Sequence, residues 1–352
     1  MRKILLTLLF PLVNIVQAQQ SVDSQLNVIL LIGDGMGLSQ ISAGMYVNNN
    51  KTVLEDFSDI GLSKTHAISS LVTDSAASGT AMACGEKTYN GVLGINSKNK
   101  KLQSVLEICE DHGYNTGLIA TSSIVHATPA SFYANVDSRK KFEEIALQLS
   151  ESNVDYFIGA GKKYFNKRED KRNLIKEMND VDVVKNFNTY KKSDADRIGF
   201  FTYSDEPPSI INGRAPILAE YLTATLGKLD SRNEPFFLMV EGSQIDWGGH
   251  ANDIEYITSE FIEFNSAIEV ALNFAKNNSN TLVIVTADHE TGGLAITMGK
   301  TKGYEIVAGF NTGGHSATMV PVFSYGKYSE LFGGIYDNTQ IFHKMIEALD
   351  LN

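Results

Sequence analysis

Carboxylate and imidazole side chains recur in this chain at points where an apolar run has just ended or where glycines cluster. They are Asp34 in GDGMG, Glu241, Asp246 and His250 in EGSQIDWGGH, Asp288 and His289 in ADHE, and His315 in GGHSA. Singly, an aspartate after a strand is usually a turn former or helix cap, and a histidine is usually hydrogen-bonded filler. Together, these are the ligands that zinc takes where thiolates are absent, three of them leaving a position open for water or substrate. Six of these seven would make two such sites, and two divalent ions roughly 4 Å apart are a common arrangement for phosphoryl transfer.

Ser75 is the candidate nucleophile. It follows Asp74 and precedes the small residues AASGTAM, a pattern that predicts a helix beginning at Ser75 with Asp74 near its N-cap. There the hydroxyl group meets the positive end of the helix and backbone N–H groups that can hold phosphate oxygens. A nearby metal ion would activate the hydroxyl group without a histidine base. Taken alone, such a segment more often carries an ordinary serine at a helix start.

The segment 126–140, HATPASFYANVDSRK, offers further polar groups. Thr128 is a hard oxygen ligand before a proline suited to the first position of a helix. Arg139 offers a planar fork for two phosphate oxygens, although a lone arginine is more often a solvated surface residue. The remaining histidines have no comparable setting and are interpreted as structural: His66, His112 and His343.

These side chains need a scaffold that gathers them, and the chain predicts a mainly parallel sheet. Apolar, β-rich runs bounded by turn residues occupy 28–32, 116–120, 156–158, 236–240 and 281–286. Between the last two, apolar residues spaced three and four apart over 253–277 predict a long helix on one face of the sheet. The fold class is therefore α/β, a three-layer α/β/α sandwich with small cap or crown insertions. Ligands of such a sheet gather beyond the carboxyl ends of its strands, where the acidic residues fall.

One segment departs from this alternation. Residues 162–214 are polar and highly charged, which predicts a surface insertion or cap rather than sheet. We expect it to belong to the same single domain, over residues 19–352.

The composition excludes several classes of protein. Of 352 residues, 43% are hydrophobic and 20% charged, which is typical of a globular protein with a sizeable core. Because 30 Lys and Arg stand against 41 Asp and Glu, a net charge of −11, we expect no nucleic-acid-binding surface. The only cysteines, Cys84 and Cys109, cannot form a disulfide framework or a four-thiolate zinc site. They are predicted to be free, buried thiols in helices.

The first eighteen residues predict a cleavable signal peptide. Arg2 and Lys3 precede an apolar run over 4–16, and Ala18 supplies the small residue of a cleavage site. The run is shorter than the ~20 apolar residues that span a bilayer. The chain is therefore expected to be exported, to a periplasm or outside the cell, with no membrane span in its mature form; a buried N-terminal core helix is the alternative.

Six segments, in their order along the chain, resemble the alkaline phosphatases. They are IGDGMG (32–37), TDSAAS (73–78), HATP (126–129), EGSQID (241–246), ADHETGG (287–293) and GGH (313–315). The resemblance extends from about residue 26 to the C-terminus and is far more specific than any one motif. It implies a hydrolase of small phosphomonoesters that passes through a phosphoserine at Ser75 and releases phosphate at alkaline pH.

The resemblance also implies a ligand set. One zinc would be held by Asp246, His250 and His315. The second, beside Ser75, would be held by Asp34, Asp288 and His289. Asp34 would bridge to a magnesium ion completed by Thr128 and Glu241, and Arg139 would bind the phosphate.

The chain departs from the best-known bacterial pattern of that family at two positions near the expected substrate. His126 stands where that pattern has Asp, and Trp247 stands where it has Lys. Both are expected to affect substrate binding, phosphate retention and the magnesium site. Because His315 follows His289 by only 26 positions, there is little room for a large crown insertion. A homodimer, usual in the family, remains one possible assembly.

Four other interpretations compete with this one. A mutase of the same superfamily would carry a large inserted domain between the nucleophile and the later ligands. Sulfatases need a Cys or Ser followed by x-Pro-x-Arg, whereas Ser75 is followed by AASG. Related phosphodiesterases generally use Thr as the nucleophile and lack the arginine and the magnesium ligands. A noncatalytic zinc- or phosphate-binding exported protein would not need the whole set of motif residues.

Overall fold

A computed structural model describes residues 25–351, so the predicted signal peptide lies outside the described residues. A ten-stranded sheet forms the middle of the molecule, in the strand order β14-β2-β13-β8-β1-β7-β3-β4-β6-β5. The strands are β1 (Asn27–Gly33), β2 (Asp59–Lys64), β3 (Asn115–Ser123), β4 (Tyr156–Ala160), β5 (Asp182–Val184), β6 (Ile198–Phe201), β7 (Phe236–Gly242), β8 (Thr281–Thr286), β9 (Glu290–Thr291), β10 (Ala295–Lys300), β11 (Glu305–Gly309), β12 (His315–Ser316), β13 (Val320–Gly326) and β14 (Gly334–Asp337).

Helices cover both faces of the sheet. They are α1 (Leu38–Val47), α2 (Ser75–Cys84), α3 (Val105–Asp111), α4 (Ala127–Ala130), α5 (Phe142–Glu151), α6 (Lys163–Asn166), α7 (Leu174–Glu177), α8 (Phe187–Lys192), α9 (Leu218–Ser231), α10 (Gln244–His250), α11 (Ile254–Asn277) and α12 (Thr339–Leu349). Short 3-10 helices occupy Val53–Asp56, Ile210–Asn212 and Ser329–Phe332.

The five apolar runs form the middle of the sheet, as predicted. They are β1, β3, β4, β7 and β8, and every pairing among them is parallel. All seven residues of β1 are buried. Because β1 has helices above and below it, its side chains enter two separate cores: Val28 and Leu30 belong to one, and Ile29 and Leu31 to the other. The predicted α/β/α sandwich is therefore confirmed.

The predicted long helix is α11, and its start is set by a side chain. Asp253 accepts hydrogen bonds from the backbone N–H groups of Glu255 and Tyr256 at 3.0 and 3.1 Å. Such a cap satisfies amide groups that have no partner within the helix. Its predicted apolar face is buried, including Phe261 and Ile268.

The prediction for residues 162–214 is wrong where it excludes sheet. This segment supplies β5 and β6, which extend the central sheet at one edge, beyond β4. The strands have only three and four residues and are separated by charged turns and a short helix. Because short edge strands contribute few apolar residues, the composition of the whole segment hides them.

The insertion between His289 and His315 is small, as their spacing predicts. It is the antiparallel hairpin of β10 and β11. On either side of the hairpin, β9 and β12 pair with each other, so that His315 lies opposite Thr291. The hairpin therefore closes a loop that returns His315 to the vicinity of His289.

Two further predictions concern cysteines and membranes. Cys84 lies in α2 and Cys109 in α3, and both are free and buried, as predicted. Among the helices of residues 25–351, none combines the length and the apolar character needed to cross a bilayer.

Candidate active site

The ends of three adjacent strands bring the acidic residues together. Strands β7, β1 and β8 run parallel, and Gly33 at the end of β1 lies opposite Gly242 at the end of β7. Asp34 therefore emerges between Glu241 of β7 and Asp288, which follows β8. Parallel strands bring their carboxyl ends to one edge of the sheet, and this is why residues far apart in sequence converge here.

The turn after β1 contains Gly35, which lets the end of this strand lie close to α10. Gly35 has φ +72°, and a Cβ atom there would lie 2.7 Å from Cα of Asp246 and 2.8 Å from the hydroxyl oxygen of Thr291. Its N–H group donates to Oδ1 of Asp288 at 3.1 Å. Any side chain at this position would separate the β1 turn from α10, which carries Asp246.

The first predicted zinc group is assembled with its imidazoles already oriented. Nδ1 of His250 lies 2.7 Å from the carbonyl oxygen of Gly313, and Nδ1 of His315 lies 2.7 Å from that of Thr73. A carbonyl can only accept, so both Nδ1 atoms carry a proton and the Nε2 atoms are the ones that a metal ion could bind. These Nε2 atoms face each other at 3.1 Å and lie 3.4 and 3.5 Å from the carboxylate of Asp246. Two imidazoles and a carboxylate that converge in this way, with the rings held by carbonyl groups behind them, can hold a metal cation.

The second predicted zinc group lies beside Ser75. Nε2 of His289 is 3.1 Å from Oδ2 of Asp288 and 3.5 Å from Oδ1 of Asp34. The same nitrogen lies 3.3 Å from Oγ of Ser75. The three predicted ligands are fully buried, and Ser75 is 2% exposed. The rings of His289 and His315 stack with centroids 3.5 Å apart, so the two groups are contiguous.

Ser75 is the first residue of α2, as predicted. Oδ1 of Asp74 accepts from the N–H group of Ala77 at 3.0 Å, which is the expected N-cap. Oδ2 of Asp74 accepts from the N–H group of Gly91 at 2.9 Å and from Nη1 of Arg139 at 3.1 Å. One carboxylate thus fixes both the start of the helix that bears Ser75 and the guanidinium group of Arg139.

A third group of possible ligands adjoins the second. Asp34, His126 and Glu241 present donor atoms within 4.8 Å of one another. The sequence assigned Asp34 and Glu241 to this group together with Thr128, and assigned His126 to substrate binding; the structure brings the His126 ring into the group as well. Thr128 lies in α4, where Pro129 is the third helical residue and not the first as predicted.

Several buried polar atoms in this region have no hydrogen-bond partner. They are both carboxylate oxygens of Asp34, Oδ2 of Asp288, Oε1 of Glu241, Oγ1 of Thr128 and Nδ1 of His126. Buried polar atoms are nearly always paired, so a concentration of unpaired ones marks a place where a further group binds. Carboxylate, hydroxyl and imidazole donors fit divalent cations, oxygen-rich sets suiting magnesium and mixed nitrogen and oxygen sets suiting zinc.

The electrostatics lead to the same inference. Burial, reinforced by Asp288, Asp246 and Glu241, raises the pKa of Asp34 well above its usual range. Burial also raises the pKa of Glu241 to about 7. Ionised carboxylates crowded into a buried site are unfavourable unless positive charge is brought in, and two or three divalent cations would bring it.

Arg139, His126 and Trp247 form the border of the site. Nη2 of Arg139 lies 3.3 Å from Nε2 of His126. The pKa of His126 is lowered to about 3 by burial and by the charge of Arg139, so the ring is neutral and accepts from the guanidinium group. Trp247 packs edge-on against His126 with centroids 6.1 Å apart.

The sequence reasoning missed Thr291 and Glu290. The Thr291 hydroxyl group lies between Asp246 and His289, and the Glu290 carboxylate accepts from Nε2 of Gln40 at 2.7 Å and from the N–H group of Leu294 at 3.1 Å. Their only signal was their position directly after the ligand pair in ADHETGG. Contacts that depend on the β9–β12 pairing cannot be read from spacing alone.

Comparison with known proteins gives one family. Residues 25–307 match the family model described as alkaline phosphatase. Alkaline phosphatase 3 of Bacillus subtilis (strain 168) is 34% identical, over 93% of this chain and 89% of its own length. Alkaline phosphatase of Escherichia coli (strain K12) is 28% identical, over 92% of this chain and 86% of its own length.

Solved structures extend the similarity to three dimensions. Alkaline phosphatase from the Antarctic bacterium TAB5 has 43% identity and a TM-score of 0.89, covering 94% of this chain and 99% of that chain. A TAB5 variant in which a histidine is replaced by glutamate, with Mg bound in its M3 site, has a TM-score of 0.88 with the same coverage. This chain therefore belongs to the alkaline phosphatase family and is a metal-dependent hydrolase of phosphomonoesters.

Proposed function

We propose that this enzyme hydrolyses phosphomonoesters through a phosphoserine at Ser75, with two zinc ions and one magnesium ion bound by the three ligand groups. The observation that carries the proposal is the position of Ser75 Oγ, buried at the start of α2 and 3.3 Å from Nε2 of His289. A phosphoryl group that enters the site would come within reach of this hydroxyl group. Its negative charge would be favoured by the N-terminus of α2.

The proposed ligand sets follow the geometry. Asp246, His250 and His315 would hold one zinc ion, and Asp34, Asp288 and His289 the other. Asp34, Glu241 and Thr128 would hold magnesium. When bound, such ions neutralise the buried carboxylates, favour ionisation of a hydroxyl group or of water, and stabilise a leaving oxygen.

The rest of the proposed mechanism lies in the chain itself. Arg139 binds two phosphate oxygens, with its guanidinium group held in place by Asp74. Ser75 attacks phosphorus in line, forming the Ser–O–P bond as the bond to the ester oxygen breaks, and the alcohol leaves with a proton. Water then attacks the phosphoserine from the side that the alcohol has left, which restores Ser75 and releases inorganic phosphate.

His126 adds a nitrogen donor to the third group. A carboxylate at this position would give a set dominated by oxygen, which magnesium prefers. The TAB5 variant with a histidine changed to glutamate binds Mg in its M3 site. We therefore propose that His126→Asp binds magnesium more tightly than the wild-type protein does.

The test compares three substrates on one enzyme preparation. We expect rapid turnover of p-nitrophenyl phosphate and far slower turnover of bis-p-nitrophenyl phosphate and p-nitrophenyl sulfate. EDTA should abolish the activity, and zinc with magnesium should restore it. Full activity in protein shown by elemental analysis to be metal-free would contradict the proposed site, and preference for the diester would assign the chain to the phosphodiesterases.

We also propose that the chain is exported after cleavage behind Ala18. Arg2, Lys3 and the apolar run that follows support this. Mass spectrometry of the mature protein should find Gln19 at the N-terminus, and an intact Met1 on the mature protein would contradict cleavage.

A further inference from the structure

Four large apolar side chains are exposed on the two loops that flank α2, the helix that bears Ser75. They are Ile68 (40% exposed), Leu71 (76%), Val72 (39%) and Tyr89 (43%), and we call them the apolar rim. The loops are joined to each other: the N–H group of Ile68 donates to the carbonyl oxygen of Thr88 at 3.0 Å, and Nδ2 of Asn90 donates to that of Val72 at 3.1 Å. These bonds tie the two loops together on either side of Tyr89, and we treat the four exposed side chains that the loops carry as one candidate surface.

Hydrogen bonds connect this surface to the candidate site at both ends. The carbonyl oxygen of Thr73, directly after Val72, accepts from Nδ1 of His315 at 2.7 Å. At the other end, the carbonyl oxygen of Gly91, two residues after Tyr89, accepts from the N–H group of Arg139 at 2.7 Å. The apolar rim thus lies along the border of the site between His315 and Arg139.

The open side of the site is the side of His250 and His315. The side chain of His250 is 42% exposed, whereas the side chains of Asp34 and His289 are fully buried. In an in-line displacement the leaving oxygen lies opposite the attacking one. A phosphoryl group that is attacked by Ser75 from the buried side must therefore direct its ester oxygen outward, toward the open side of the site, which the rim borders.

We propose that the apolar rim binds the leaving group, and that the enzyme prefers phosphomonoesters whose alcohol carries an extended aromatic or alkyl group. This inference rests on the proposed function. Exposed apolar patches bordered by polar residues commonly mark binding sites, because covering them removes apolar surface from water. The contact persists while the ester bond breaks, so it raises kcat/KM for esters that can reach the rim.

The test uses two esters whose alcohols are almost equally acidic, phenyl phosphate and 2-naphthyl phosphate. Their chemistry is matched, and only the second ring of the naphthyl ester extends the apolar contact. Each buried methylene-sized group contributes ~0.8 kcal/mol, or about fourfold, so the wild-type enzyme should favour the naphthyl ester by roughly five- to tenfold in kcat/KM. Leu71→Ser should reduce that preference about threefold, and Leu71→Ser with Tyr89→Ser should remove most of it. Inhibition by inorganic phosphate, which has no leaving group, should not change.

Ile335→Ser is the matched control. Ile335 is 66% exposed, but it lies on β14 at the edge of the sheet, four strands from β1. Neighbouring strands are about 4.8 Å apart, so β14 lies roughly 19 Å from β1, and the ester preference of this variant should equal that of the wild type.

Three results would overturn the inference. One is an unchanged ester preference in the double variant. The second is an equal loss of activity on both esters. The third is a fall in molar mass by light scattering, which would make the rim a contact between copies of the chain. If the wild-type enzyme hydrolyses neither ester, the proposed function fails, whatever the rim does.

Discussion

The hydroxyl group of Thr291 donates a hydrogen bond to Oδ1 of Asp246 at 2.5 Å. The hydroxyl oxygen of Thr291 also lies 3.2 Å from Nδ1 of His289. Because the hydroxyl proton is directed to the carboxylate, the Thr291 oxygen accepts from Nδ1–H of His289, which turns Nε2 toward Ser75 as the atom that a metal ion could bind. One buried hydroxyl group therefore orients a proposed ligand of each zinc ion.

We expect Thr291→Val to weaken zinc binding and activity about 10- to 100-fold, as the loss of such supporting hydrogen bonds typically does. Valine keeps the shape of threonine but cannot hold the imidazole of His289 in one tautomer. Zinc affinity is to be measured by competition with a chromogenic chelator. Thr291→Ser keeps the hydroxyl group and should behave nearly as the wild type; equal losses in both variants would assign the effect to packing.

Ser75→Ala should retain metal and phosphate binding and lose most of the turnover, because only the covalent route is removed. Acid quenching during turnover, followed by peptide mass spectrometry, should find phosphate on Ser75 in the wild-type enzyme and none in the variant. Rapid turnover without any trapped phosphoserine would argue for direct attack by water.

Arg139→Ala should raise KM and weaken inhibition by inorganic phosphate by about 10- to 100-fold, which corresponds to the ~1.5–3 kcal/mol of a charge-assisted contact. Arg139→Lys keeps the charge but not the fork, and should recover only part of this loss. Equal phosphate inhibition in the wild-type enzyme and in Arg139→Ala would show that Arg139 serves to hold Asp74 and not the substrate.

Trp247→Lys should tighten phosphate binding and slow steady-state turnover at alkaline pH. Trp247 is partly buried against His126, which in turn contacts Arg139, so an ammonium group here would lie close to bound phosphate. Slower product release lowers kcat wherever release limits the rate. The inhibition constant for phosphate and the metal content are to be measured together; unchanged inhibition at full metal content would make Trp247 a packing residue only.

Glu110 should make stability depend on pH, away from the metal ligands. Burial raises the pKa of Glu110 to about 7. As pH rises from about 4.5 to 7, the unfolded chain releases this proton first, so the folded state loses stability across that window and does not regain it above pH 7. Glu110→Gln should therefore stabilise the enzyme at pH 8, by roughly 1–2 kcal/mol after discounting for partial exposure, and have little effect at pH 4.5.

Urea unfolding of the metal-loaded enzyme at both pH values measures this effect. Glu269→Gln, at an exposed position of α11, is the control. An equal change in stability at pH 4.5 and pH 8 would show that Glu110 acts through packing or hydrogen bonding and not through its charge.

The central fold was predictable because buried parallel strands have a strong local signal. The run 281–286, for example, is apolar between its two terminal threonines, and every residue of the resulting strand is buried. The edge strand β5 was not predictable, since Asp182 and Val183 are not buried and three residues carry too little pattern. Sequence periodicity reports burial, and short edge strands are only partly buried.

In the candidate site too, features set by neighbouring residues could be predicted and features set by tertiary packing could not. Ser75 and Asp74 were predicted with their places at the start of α2, because a helix cap is a local device. His126 was expected to affect the magnesium site, but its position among the donor atoms of Asp34 and Glu241 was not predicted, since that depends on tertiary packing. Local chemistry can be read from neighbours in the chain, whereas shared ligands depend on tertiary packing.

All ten residues of α2 are buried, whereas α11 has both buried and exposed faces. At Gly79, a Cβ atom would come within 2.5 Å of Oγ of Ser131. The helix behind the nucleophile therefore has no side on which substitutions are neutral. In an amphipathic helix such as α11, residues on the exposed face can be substituted while the buried face stays constant. Helix α2 has no exposed face, so it has no positions of that kind. The segment from Ser75 to Cys84 should accept little more than exchanges among the smallest side chains, and adaptation of this enzyme to new substrates must come from the loops on either side of it.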